Sequence, residues 1–134
     1  MEPFKNKLAL IADDDIDILT LETIQLKKMG FNVISAETQK EAEELIDTNK
    51  PDIAIFDLMM DNRDSGFILS YKMKKMYPEV PVIIVTAVTA DTGMIFGLDS
   101  DSERTWIKAD KYLEKGLRPE QFEEEISQLL RPQL

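Results

Sequence analysis

Short apolar runs alternate along the chain with longer segments whose apolar residues recur at helical spacing. The runs predict strands at Leu8–Ala12, Phe31–Ser35, Ile53–Phe56, Pro81–Val85 and Tyr112–Glu114. The segments between them predict helices at 16–29, 38–50, 69–76 and from Pro119 onward, with a less regular helix near residues 94–98. Because strands and helices alternate five times, the pattern predicts a doubly wound parallel sheet.

The first predicted helix covers residues 16–29, and Gly30 follows it where a helix stop is expected. Its spacing predicts a core-facing side formed by Ile18, Leu21 and Met29. Three neighbouring apolar residues predict a wide buried stripe rather than an exposed interface: Ile16, Leu19 and Ile24. Farther along, Thr38 and Glu41 have the spacing of a capping box, which predicts the start of the second helix.

Side chains capable of chemistry follow four of the five predicted strands. Asp13 and Asp14 follow the first strand, Asp57 the third, Thr86 the fourth and Lys115 the last. In a doubly wound sheet, ligands bind outside the carboxyl ends of the strands, where the strand order reverses. We therefore expect these side chains to converge on one crevice.

The composition narrows the chemistry available to that crevice. The 134 residues include no histidine and no cysteine, which excludes disulfides, ordinary zinc sites and catalysis by imidazole or thiolate. A net charge of -10 at pH 7 argues against direct binding to nucleic acid, which needs clustered lysine and arginine. No run approaches the roughly 20 apolar residues that span a bilayer, and the amino terminus lacks a signal-peptide core. We expect a cytoplasmic domain without membrane association.

Several carboxylates in one crevice repel one another. A pair about 4 Å apart costs roughly 4 kcal/mol at an effective dielectric constant near 20. A raised pKa on one acid or a bound divalent cation relieves this repulsion, and an all-oxygen donor set favours Mg2+. A carboxylate such as Asp57 is also a competent nucleophile for phosphoryl transfer. Thr86 and Lys115 offer a hydroxyl and an ammonium group to the phosphoryl oxygens.

These residues lie in four motifs that carry a family resemblance. The motifs, in chain order, are Leu10-Ile11-Ala12-Asp13-Asp14-Asp15, Phe56-Asp57-Leu58-Met59-Met60 with the later Asp64 and Gly66, Val85-Thr86-Ala87, and Tyr112-Leu113-Glu114-Lys115. Over residues 8 to 130 the chain resembles the receiver domains of two-component response regulators. We accordingly expect a flavodoxin-like (βα)5 sandwich whose five-stranded parallel sheet has the order 2-1-3-4-5, with residues 1–134 forming one receiver domain and no output domain.

The resemblance also implies a role for each site residue. Asp57 would be the phosphoacceptor, Asp14 a direct magnesium ligand and Asp13 a ligand acting mostly through water. The backbone carbonyl of Met59 would complete the metal site. The other implied roles are Thr86 and Lys115 as holders of the phosphoryl oxygens, and Tyr112 as an aromatic switch that moves with Thr86.

The implied partners are proteins. The phosphoryl group would come from a sensor histidine kinase or a histidine phosphotransfer protein. Phosphorylation would change binding of a downstream protein effector through the region from the fourth strand to the last helix. The domain would catalyse only its own phosphorylation and dephosphorylation, so it would not be an enzyme in the usual sense.

The chain departs from the family pattern in three places. Asp61 stands where proline is usual, and Ser65 adds one residue before Gly66, so we expect an altered loop beside Asp57. Gly116 replaces the usual proline after Lys115, and we expect a trans bond there because a cis non-prolyl bond costs about 3 to 4 kcal/mol. The stretch between Thr86 and Lys115 is also longer than usual, which we assign to residues 97–105.

Three other interpretations remain open at this stage. The acids after the first strand could be helix caps, and Asp15 is assigned that role. A phosphatase of the haloacid dehalogenase type would use Asp13 as nucleophile instead of Asp57. A scaffold that keeps the fold without being phosphorylated would bind no magnesium.

Overall fold

The computed structural model describes residues 4–86 and 109–130. The strands are β1 (Leu8–Ala12), β2 (Asn32–Ala36), β3 (Ile53–Asp57), β4 (Val82–Thr86) and β5 (Lys111–Glu114). The helices in the described residues are α1 (Ile16–Lys28), α2 (Gln39–Thr48), α3 (Ser65–Met76) and, at the end of the chain, α4 (Pro119–Leu130). The predicted helix near residues 94–98 lies outside the described residues.

The five strands form one parallel sheet in the order β2-β1-β3-β4-β5. Its register places Ala12 beside both Ala36 and Phe56, and Asp57 beside Val85. The carboxyl ends of the strands are therefore level with one another along one edge. The strand order reverses between β1 and β3, which confirms the expected flavodoxin-like sheet and its crevice.

The core has two layers because successive residues of a strand point to opposite faces of the sheet. From β1, Ala9 and Ile11 belong to the cluster that includes Leu26 and Phe122, on the side of α1 and α4. Leu10 and Ala12 belong to the other cluster, which includes Ala42 and Met73 on the side of α2 and α3. Both faces of the central strands are buried, which explains their continuous apolar runs.

Helix α1 buries a different side from the one predicted. Its buried residues are Leu19, Glu22 and Leu26. Leu19 and Met29 are buried as predicted, but Leu21 is 58% exposed, and Ile16 and Ile24 are 57% and 53% exposed. The prediction was therefore wrong for Leu21 and for a stripe wide enough to include Ile16 and Ile24. Residues three and four apart lie on one helix face, so Leu19, Glu22 and Leu26 form the buried face. An assignment based on apolar residues alone missed this face because Glu22 lies at its centre.

The helix ends follow the sequence signals. Asp15 is the N-cap of α1, and its carboxylate accepts hydrogen bonds from the backbone N–H groups of Asp17 and Ile18. Gly30 follows α1 with a positive φ of 107°. The Thr38 hydroxyl accepts from the Glu41 N–H at 3.1 Å, which confirms the predicted start of α2, and the Glu41 carboxylate accepts the Glu37 N–H at 2.9 Å rather than that of Thr38. Among the described residues, no helix is long and apolar enough to cross a membrane.

Candidate functional site

The sheet edge brings three of the predicted carboxylates together. Asp57 is the last residue of β3, and Asp13 and Asp14 directly follow β1. Each offers an oxygen, and these oxygens lie within 4.8 Å of one another. Asp13 and Asp57 are only 1% and 4% exposed, whereas Asp14 is exposed. The structure therefore joins two buried acids and one accessible acid in a single group.

Lys115 reaches this group from the end of β5. Its ammonium nitrogen lies 3.2 Å from Asp13 Oδ2 and 3.2 Å from Asp57 Oδ2. The backbone N–H of Lys115 donates to the Thr86 carbonyl at 2.8 Å, which fixes where the lysine leaves the sheet. One cation thus bridges two carboxylates that would otherwise repel each other.

The ionisation of the site reflects its burial. Loss of water raises the pKa of Asp57 to about 7, with Asp13 adding to the rise and Lys115 opposing it. Burial disfavours the charged form of Lys115, but the carboxylates of Asp57 and Asp13 outweigh that effect and raise its pKa above the usual value. Lys115 remains a cation near neutral pH, and Asp57 is close to half protonated without further positive charge.

The donor set fits a magnesium ion. The three residues offer carboxylate oxygens alone, the ligand type that Mg2+ prefers. Asp57 Oδ2 is buried, and in residues 4–86 and 109–130 it has no hydrogen bond of good geometry, although the Lys115 ammonium lies within ion-pair distance. A buried oxygen left in this state calls for further positive charge.

Thr86 and Tyr112 lie on the β4–β5 side of the crevice. Thr86 is the last residue of β4 and is half-buried; its Cα pairs with Glu114 of β5. Tyr112 packs against the small cluster of Leu58, Phe67 and Ile84. Both residues have further interactions within the protein. Their predicted roles in phosphoryl binding and switching stay predictions, and the assignment of extra length to residues 97–105 lies outside the described residues.

The loop after β3, residues 58–64, contains Asp61 and is followed by Ser65, the two residues for which the sequence predicts an altered loop. Gly66 lies against this loop, because its N–H donates to the Leu58 carbonyl at 2.8 Å. A Cβ atom at Gly66 would lie 2.7 Å from the Leu58 Cα and 2.8 Å from the Asp57 carbonyl oxygen. The glycine is therefore required for the close approach of α3 to the end of β3.

Gly116, the other departure, follows Lys115 with a φ of 90°. No peptide bond in the described residues is cis, as expected at this position. A Cβ atom at Gly116 would meet nothing within 4 Å. The glycine is favoured there by backbone conformation rather than by space.

Glu22 is a residue near the site that the sequence reasoning missed. It is 9% exposed and lines a cavity of about 110 Å3 together with Gln25, Lys115 and Phe122. Burial raises its pKa to about 8, and Asp13 and Asp57 add to the rise. Its spacing of three and four residues from Leu19 and Leu26 was the signal that could have found it.

Comparison with known proteins identifies the family of the chain. Residues 9–127 match the family described as "Response regulator receiver domain". The chain belongs to this family. Receiver domains are generally phosphoacceptors rather than classical enzymes, and they interact with histidine kinases and downstream effectors.

Two curated relatives are transcriptional regulators. The chain is 28% identical over 126 residues to "Alkaline phosphatase synthesis transcriptional regulatory protein PhoP" of Bacillus subtilis, covering 94% of this chain and 49% of the relative. It is 30% identical over 131 residues to "Probable transcriptional regulator ycf27" of Cyanophora paradoxa, covering 98% of this chain and 51% of the relative. The receiver chain thus spans about half the length of these relatives.

A solved structure agrees with the fold. The response regulator receiver domain protein (CheY-like) from Methanospirillum hungatei JF-1 superposes with a TM-score of 0.76 at 28% identity. The match covers 91% of each chain. The single-domain organisation and the cytoplasmic location stay predictions.

Proposed function

We propose that this receiver domain accepts a phosphoryl group on Asp57 in a magnesium-dependent reaction, with a phosphohistidine on a histidine kinase or phosphotransfer protein as donor. The observation that carries the proposal is the buried Asp57 carboxylate, placed within 4.8 Å of two further carboxylates and 3.2 Å from a lysine ammonium. A carboxylate in such surroundings needs a cation to stay ionised, and an ionised carboxylate is the nucleophile that acyl phosphate formation requires.

Asp13, Asp14, Asp57 and the backbone carbonyl of Met59 would hold the magnesium ion. When bound, Mg2+ supplies positive charge that lowers the pKa of Asp57 and offsets the charge on the phosphoryl oxygens. Asp13 is already oriented, since its Oδ1 accepts the Asp15 N–H at 2.9 Å. The accessible Asp14 lies on the open side of the group, where an ion enters.

The transfer forms one bond and breaks one. A carboxylate oxygen of Asp57 attacks phosphorus, the P–N bond of the phosphohistidine breaks, and the leaving imidazole nitrogen keeps the electron pair and takes a proton. Lys115 then shifts from neutralising the Asp57 carboxylate to pairing with the phosphoryl oxygens. Thr86, at the end of the adjacent strand, donates its hydroxyl to another of these oxygens.

The same geometry supports a proposal for how phosphorylation switches partner binding. The Lys115 backbone N–H donates to the Thr86 carbonyl at 2.8 Å. A phosphoryl group that binds both side chains therefore acts on the ends of β4 and β5 together. Tyr112 on β5 moves with Thr86, and the surface from β4 to α4 changes its affinity for a downstream protein. Phosphorylation biases this region between two arrangements rather than creating a new one.

The test uses a small acyl phosphate donor with MgCl2 and intact-mass spectrometry. The wild-type protein is expected to gain one phosphoryl group, and Asp57→Asn to gain none. Asp17→Asn, which changes an exposed acid on α1, is the matched control and is expected to react like the wild type. Phosphorylation that survives Asp57→Asn contradicts the proposal and points to Asp13 as nucleophile, as in the phosphatase alternative.

A further inference from the structure

A hydrogen-bond network ties the loop after β3 to the start of α2. The Gln39 side-chain oxygen accepts hydrogen bonds from Asn62 Nδ2 at 2.9 Å and from Ser65 Oγ at 2.9 Å. The Gln39 backbone N–H donates to Asp61 Oδ1 at 3.0 Å. Two polar groups of the loop and the Ser65 hydroxyl at the start of α3 are therefore held by one residue of a neighbouring helix.

The network is buried at its inner end. Ser65 is fully buried, and its hydroxyl donates to Gln39 while accepting the Asn62 N–H at 3.1 Å. A buried hydroxyl without partners costs stability, so Ser65 is satisfied only while Gln39 and Asn62 keep these positions. Asp61 of the loop and Ser65 at the start of α3 both contact Gln39 directly.

The network ends on the peptide unit between Met59 and Met60. The Met60 N–H donates to the Asn62 carbonyl at 3.1 Å, and the same carbonyl accepts the Ser65 N–H at 3.3 Å. A peptide unit is planar, so fixing the direction of the Met60 N–H also fixes the direction of the Met59 carbonyl. Any group that orients Asn62 thereby orients the Met59 oxygen.

We propose that Gln39 is a positioning residue for the metal site, acting through Asn62 and the Met59–Met60 peptide to aim the Met59 carbonyl. The inference rests on the proposed function, in which that carbonyl is a magnesium ligand. Groups that orient ligands from outside the coordination sphere typically change metal affinity 10- to 100-fold when lost.

A surface role for Gln39 accounts for only one of its contacts. Gln39 Nε2 donates to Glu43 Oε2 at 2.8 Å, a pair four residues apart on the same helix. Gln128 forms the same kind of pair with Glu124 on α4, at 3.2 Å. Such pairs stabilise a helix by about 0.2 to 0.5 kcal/mol and orient nothing beyond it. Gln39 differs from Gln128 because it also accepts hydrogen bonds from Asn62 and Ser65, which lie 23 and 26 residues away in the sequence.

The test compares Gln39→Leu with Gln128→Leu in a titration of the full chain with MgCl2, followed by amide NMR. Each change removes one Gln–Glu helix pair, but Gln39→Leu also removes the acceptor for Asn62 and Ser65. Gln39→Leu is expected to raise the Mg2+ dissociation constant about tenfold and to speed hydrogen exchange at the Met60 amide. Gln128→Leu is expected to leave both unchanged.

Asn62→Ala provides a second variant at an exposed position, where loss of folding is not expected. It is expected to weaken Mg2+ binding in the same direction, and the double variant is expected to show less than the product of the two single effects, because both act along one path. A dissociation constant for Gln39→Leu equal to that of the wild type overturns the positioning role alone. Absence of Mg2+ binding by the wild type overturns the proposed function and this inference with it.

Discussion

The two loops that meet at Asp57 are held in different ways. In the loop after β1, Asp13 and Asp15 accept backbone N–H groups two or three residues ahead of them. In the loop after β3, the bonds to Gln39 join residues 22 to 26 positions apart. The side-chain bonds to backbone in the first loop are therefore local, whereas the second loop adds to its local bonds a set of contacts with a helix that precedes it in the chain.

The difference separates two tasks at one site. The first loop brings charge to the crevice, and a local bond from the Asp15 N–H orients Asp13 there. The second loop carries the Met59 carbonyl, which is proposed as an uncharged magnesium ligand. The direction of this carbonyl is proposed to depend on contacts with α2. We therefore expect changes near the first loop to act on charge and pH, and changes near the second to act on packing and metal affinity.

The largest expected effect concerns charge on the β1–α1 side. Glu22 has a pKa of about 8 in the folded protein, above its ordinary value near 4.5, so the folded state keeps the proton longer than the unfolded state. The free energy of unfolding therefore falls as the pH rises from about 4.5 to about 8. Glu22→Gln removes this loss, and above pH 8 it is expected to stabilise the metal-free protein on the order of 5 kcal/mol, at about 1.4 kcal/mol per pKa unit.

Urea unfolding of the metal-free protein at pH 5 and pH 9 measures this effect. Glu44→Gln, at an exposed position of α2, is the matched control and is expected to show no such pH dependence. If the difference in unfolding free energy between Glu22→Gln and the wild type is the same at both pH values, Glu22 is not the source of the charge penalty.

The next effect concerns packing on the β3–α3 side. Gly66→Ala places a Cβ 2.7 Å from the Leu58 Cα, so backbone must move, and a loss of about 3 kcal/mol in unfolding free energy is expected. Gly116→Ala is the comparison, since its Cβ meets no atom within 4 Å. Its positive φ costs about 1 kcal/mol. Urea unfolding of both variants measures the difference.

Equal losses for the two glycine variants would contradict the packing argument, because backbone conformation alone would then account for both. A loss confined to Gly66→Ala, with the Met60 amide also exchanging faster, would place the disturbance in the loop that Gln39 holds.

The smallest expected effect tests whether the hydrogen bonds of the loop after β1 act only on their near neighbours. Asp15→Ala removes the N-cap of α1 and is expected to lower the unfolding free energy by about 1 kcal/mol. Thr38→Ala removes the N-cap of α2 and is expected to cost a similar amount. Thermal unfolding measures the loss of stability in both variants. A titration with MgCl2 then measures whether either N-cap affects the metal site. Asp15→Ala is expected to change Mg2+ affinity little; a large change would show that the cap also orients Asp13.

Much of the site was predictable because its residues stand at strand ends. Asp13, Asp57 and Lys115 each follow or close an apolar run, and parallel strands in register bring such positions to one edge. The buried face of α1 was not predictable from apolar residues, because Glu22 occupies its centre. Gln39 gave no signal either, since a glutamine in the first turn of a helix is ordinary in sequence.

The sequence by itself determined the alternation of strands and helices, the caps at Asp15 and Thr38, and the edge at which the carboxylates meet. The alternation and the caps depend on backbone periodicity and on bonds between near neighbours, which a short stretch of chain specifies, and the shared edge follows from the parallel sheet that the alternation predicts. Only the tertiary structure decided that Glu22 is buried, that the pKa of Asp57 rises to about 7, and that Gln39 holds the loop carrying Met59. Desolvation and long-range hydrogen bonds depend on which surfaces pack together, and that is settled only when the whole sheet and its helices are assembled.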